Sequence, residues 1–77
     1  MKDFYIIENR FTNNSKREYY LEVKIQAETK RKAQNKARKI FGISFSGMFG
    51  AMCLDENQAK DIPKLKDKAG YLVFDKQ

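Results

Sequence analysis

From Glu18 to Ala27 the chain alternates, with Tyr19, Leu21, Val23, Ile25 and Ala27 at odd positions and Glu18, Tyr20, Glu22, Lys24 and Gln26 at even ones. A period of two residues belongs to a strand with one apolar face and one wet face. Two residues later the period changes. Thr29 is a candidate N-cap, and Ala33, Ala37, Ile40 and Phe41 follow at i, i+4, i+7 and i+8, one stripe of a helix, before Gly42 stops it. A strand feeding directly into a helix commits the chain to a layer of sheet beneath a layer of helix, because each element carries an apolar face that must be covered. The two alanines allow close approach to the sheet, with Ile40 and Phe41 expected to anchor the other end.

The remaining segments extend that plan. Phe4–Ile7 is apolar on both parities and then gives way to Glu8, Asn9 and Arg10, which reads as a strand buried on both faces at its start and wet at its end. Thr12, Asn13, Asn14 and Ser15 form a hairpin tip. Residues 43–54 are small, apolar and interrupted by glycine. They suit a loop leading into a short strand near Ala51–Leu54, with a short helix through Met48–Cys53 as the competitor. Asp55 to Gln58 carries a capping-box pattern, so a turn or two of helix should run to about Asp61 before Pro63. Lys64–Lys68 reads as a charged connector, Ala69-Gly70 as a turn and Tyr71–Phe74 as a last strand. The predicted fold is α+β in the order β-β-α-(β)-α-β. Residues 1–77 form one domain, a small antiparallel sheet of three to four strands with one basic amphipathic helix packed on one face. The last strand is expected beside one of the first two.

Composition narrows the class of function. A chain of 77 residues has room for one core, and at 42% hydrophobic residues it is too apolar for a disordered segment. Cys53 is the only cysteine, so no internal disulfide can form, which suits a reducing, cytoplasmic setting. The first residues hold too short an apolar run for a signal-peptide core or a spanning helix, so no membrane association is expected. There is no histidine, which removes the commonest general base and a leading zinc ligand, and no Gly-rich phosphate loop, HExxH or GxSxG. An enzyme is not expected, nor a cofactor or metal. Met48, Met52 and Cys53 match few metal sites beyond monovalent copper and read as core or as a self-association patch, the latter allowing a homodimer.

The charge is what points outward. The net charge is +6, and the first forty residues hold 11 Lys and Arg against 5 Asp and Glu, while the rest holds 5 of each. Between Lys30 and Lys39 there are six cations and no acid. At 100° per residue, Arg31, Lys32, Lys36, Arg38 and Lys39 lie opposite the alanine stripe, and Lys30, Arg31 and Lys32 crowd a first turn where the helix dipole disfavours cations. The bland reading is a solvated helix face. The favoured one is a non-enzymatic nucleic-acid-binding domain in which Lys30, Arg31, Lys32, Lys36, Arg38 and Lys39 contact phosphates, Lys16 and Arg17 of the hairpin arm add a second contact, and Tyr20 offers a stacking ring. The runner-up, from another class, is a small protein-binding adaptor or inhibitor that sets the basic helix against an acidic surface of a nucleic-acid enzyme. Small basic chains rich in Lys and Asn are common among phage and mobile-element accessory proteins, a likeness of composition with no motif behind it.

Overall fold

The computed structural model describes residues 1–11, 16–45, 50–62 and 64–73. Its elements are β1 (Lys2–Phe11), β2 (Arg17–Ala27), α1 (Lys30–Phe41), β3 (Met52–Asp55), α2 (Glu56–Lys60) and β4 (Leu65–Lys66). The strands form one sheet in the order β3-β1-β2-β4. β1 pairs antiparallel with both β2 and β3, whereas β4 joins β2 in parallel, Tyr19 opposite Leu65 and Tyr20 opposite Lys66. The sheet is therefore mixed, within the α+β layering expected. Because β3 and β4 both run with β2, each helix is a crossover between parallel strands. α1 crosses one face on its way from β2 to β3, and α2 helps to cover the other on the way to β4.

This route explains why β1 is apolar on both parities. Phe4 and Ile6 face α1, while Tyr5 and Ile7 face the segment holding α2 and β4. Ile6 and Ile7 are both fully buried. The first cluster joins Phe4, Ile6, Ile25, Ala27, Ala33, Ala37 and Cys53, and the second joins Tyr5, Ile7, Ala59 and Leu65.

The alternation in β2 does not mark a single face. Pairing passes from Ile6 opposite Val23 to Ile7 opposite Leu21, which leaves Glu22 as the extra residue of a β-bulge. The bulge inverts the parity. Val23 packs with Ile25 and Ala27 beneath α1, whereas Tyr19 and Leu21 pack on the opposite face against Ile7 and Leu65. Tyr20, opposite Glu8, is thereby brought to the α1 side of the sheet.

α1 starts at Thr29, whose hydroxyl accepts the Lys32 amide at 3.2 Å, and ends at Gly42, where a left-handed φ of 64° turns the chain away. Ala33 and Ala37 are fully buried as expected, but Ile40 is 68% and Phe41 52% exposed. They do not anchor the helix. Past Val23 the sheet beneath turns polar, with Glu8, Arg10 and Glu22, so among the described residues the last turn of α1 has no apolar floor. Ile43, Phe45 and Ala51, beyond the helix, close the first cluster instead.

Of the two options for residues 43–54, the strand is observed as β3, while 46–49 lie outside the described residues. The capping box at α2 is present in full, Asp55 accepting the Gln58 amide and Gln58 accepting the Asp55 amide. Leu65 and Lys66, inside the expected connector, are β4. Downstream, Asp67 accepts the Ala69 and Tyr71 amides and the chain turns at Gly70 (φ 93°), but among the described residues of the expected strand Leu72 makes only an isolated bridge, to Lys66. The hairpin tip at residues 12–15, Met48, Pro63 and Phe74 lie outside the described residues.

Candidate functional site

The outward face of α1 is built by its buried one. With Ala33 and Ala37 pressed on the sheet, Arg31, Lys32, Lys36, Arg38 and Lys39 are all exposed. Lys30 is not part of that row. It is half-buried, and its ammonium donates to Gln58 Oε1 at 2.9 Å, tying α1 to the cap of α2.

The five outward cations differ in their local partners. Lys32 is paired at 2.8 Å with Glu28, an acid just upstream of the helix N-cap at i,i+4 spacing. Lys36 donates to the Gln26 carbonyl at 2.9 Å, fastening the helix to β2. Arg38 donates to Asn35 Oδ1 at 3.3 Å and lies over the Phe45 ring, 5.1 Å from its centroid. Arg31 and Lys39 have no side-chain partner among the described residues. Arg31 and Arg38, seven residues apart, stand one above the other on the helix.

Tyr20 sits in a separate polar network on the same side of the sheet. Its hydroxyl donates to the Glu18 carboxylate, and the Arg10 guanidinium lies 4.6 Å above its ring while donating to Glu8 at 3.2 Å. The Glu18 hydrogen bond, more than burial, holds the phenol above its ordinary 10.0. One face of the ring is already taken by Arg10, which weighs against Tyr20 as a free stacking platform. Between this network and Phe41 lies an open groove of about 610 Å³, with Glu8, Arg10, Glu22 and Lys68 on its walls. Lys68 and Glu22 pair at 2.9 Å.

Arg17 is not brought to the α1 row. It lies opposite Phe11 at the far end of the β1–β2 pairing and lines a smaller cavity with Glu18, Tyr19, Lys64 and Lys66. Lys16, next to it, is exposed. Lys64 and Lys66, expected only as part of a charged connector, line that cavity. The signal that could have found them is the Lys-Leu-Lys pattern of Lys64 to Lys66, an apolar residue between two cations, which is also a strand pattern.

Among the described residues no group of three or more Cys, Asp or Glu could hold a metal ion, and no helix is long and apolar enough to cross a membrane. Cys53 is buried, and its thiol is pushed above the ordinary 9.0 by that burial, with the Lys30 charge pulling weakly the other way. A thiol in that state is a packing group and a poor nucleophile. Comparison with protein-family models, with curated proteins and with solved structures finds no match to this chain.

Proposed function

We propose that this chain is a non-enzymatic nucleic-acid-binding domain of a reducing, cytoplasmic compartment that contacts phosphates through the outward face of α1. The observation that carries the reading is the exposed set Arg31, Arg38 and Lys39, flanked by Lys32 and Lys36, with Glu28 the one carboxylate paired to it among the described residues. Arg31 to Lys39 rises about 12 Å along the helix, the axial run of roughly four phosphates of one strand at about 3.4 Å each. Five cations over that length match the charge spacing of a nucleic-acid backbone. Excess positive charge is also unfavourable in the free protein, so its neutralisation on binding releases repulsion as well as counterions.

The test is the salt dependence of binding to single- and double-stranded DNA and RNA. With five cations each neutralising about one duplex phosphate, log K against log[salt] should have a slope near −4 to −5, and reversing Arg31, Arg38 and Lys39 to Glu should flatten it by roughly three units. No binding to any of these at about 50 mM salt rejects the reading. A second reading, an adaptor or inhibitor on an acidic protein surface, is favoured by exposed Ile40 and Phe41 at the end of the row, because exposed aromatic side chains beside Arg are enriched at protein interfaces.

A further inference from the structure

We infer that the cavity where β4 begins its pairing with β2 is a separate oxyanion site, lined by Arg17, Lys64 and Lys66, that takes a phosphoryl group. The parallel register sets Lys66 beside Tyr20 and Leu65 beside Tyr19, so the residues just before the pairing, Arg17 and Glu18 on one strand and Lys64 on the other, meet around a common space. Among the described residues three cations and one carboxylate line it, Glu18 also accepting the Tyr20 hydroxyl. Cations outnumber the carboxylate around this concave space, so its lining attracts a compact anion. Arg supplies a planar fork of donors suited to phosphate, and Lys supplies point charges.

Size selects the ligand. The cavity holds about 230 Å³, below the roughly 300–1,000 Å³ of sites that enclose a drug-sized molecule, and so fits a phosphoryl head while leaving what is attached to it outside. The site is distinct from the α1 row, since Arg17 and Tyr19 belong to the β2 segment beyond the Glu22 bulge and Tyr19 packs in the cluster on the face away from α1. The phosphoryl group can come from a strand end or from a small phosphomonoester.

Backbone amide shifts of the wild-type protein, titrated with inorganic phosphate against chloride of equal ionic strength, test the site directly. Saturable shifts are expected at Arg17, Tyr19 and Lys66, with the double variant Lys64→Gln, Lys66→Gln losing about tenfold or more in apparent affinity while its remaining spectrum stays native. Shifts that chloride reproduces, that the double variant retains, or that centre on α1 overturn the proposal. An oligonucleotide with a 5′-phosphate binding more tightly than its 5′-hydroxyl counterpart, in wild type only, assigns the group to a strand end. Equal affinities, with a nucleoside monophosphate still shifting the pocket amides, assign it to a small phosphomonoester. Loss of nucleic-acid binding through α1 would leave the phosphate titration intact, so the two readings fail separately.

Discussion

Cys53 shows how far one side chain can be read from its surroundings. Its place in β3, opposite Ile6, puts it in the cluster beneath α1, where it acts as a small hydrophobe. The folded protein should react slowly with a thiol reagent and fast only in denaturant. Rapid modification of the native state would show that the thiol is reachable. Burial holds the Cys53 thiol above 9.0 and is also the main reason that the Tyr5 phenol lies above 10.0, with Glu56 and Asp3 adding to the latter. Both groups keep their protons longer in the folded chain than in the unfolded one. Their contribution is complete below about pH 9 and is lost as pH rises, because the unfolded chain then sheds protons that the fold retains. Denaturation midpoints should therefore fall as pH rises above about 9, and Cys53→Ala should flatten the first part of the decline. A midpoint flat across that range would contradict the burial of both groups. The burial of Tyr5 was legible in the Phe4–Ile7 run. The inward turn of Lys30 was not, since its partner Gln58 lies 28 residues away.

Strand and helix periods were legible in β2 and α1, but the faces were only half so. The bulge at Glu22 leaves no mark in the alternation, because it arises from pairing with β1 and from the need to serve clusters on opposite faces. Deleting Glu22 should force either Tyr19 and Leu21 or their neighbours in β2 onto the wrong face. At about 1.5–3 kcal/mol per large apolar side chain, the loss is roughly 3–6 kcal/mol, enough to unfold so small a domain. Glu22→Ala removes a pair between the half-buried Glu22 and the exposed Lys68 and should cost about 1 kcal/mol or less. Similar denaturation midpoints for the deletion and the substitution would show that the bulge is dispensable. In α1 the two alanines were read correctly, and the expected anchors failed because a helical stripe says nothing about where the sheet below turns polar. Ala33→Leu should overpack a fully buried contact and cost about 1–3 kcal/mol, whereas Ile40→Ala should change stability by no more than about 0.5 kcal/mol. The reverse order in thermal melts would return Ile40 to the core.

For the whole molecule, the layering followed from periods alone, while the parallel placement of β4 did not, because a strand of two residues has no period to read and its pairing depends on the crossover through α2. Charge joins this architecture to the proposed function. The molecule carries +6, and the first turn of α1 holds no acid against the positive end of the helix dipole. Such an arrangement lowers the stability of the free domain for as long as the cations are unmatched. Arg31 isolates this cost, being in that first turn, exposed and without a side-chain partner among the described residues. Arg31→Glu should raise stability by about 0.3–1 kcal/mol at low salt, a rise of a few degrees in melting temperature that shrinks as salt screens it. The same substitution should weaken nucleic-acid binding and remove at least one unit from the salt slope. A merely solvated face would give the gain in stability without the loss in binding. Melting and binding measured on one sample of the variant separate the cases: opposite movements support a surface that gives up stability for an anionic partner, and a binding curve unchanged beside a raised melting temperature removes Arg31 from the interface.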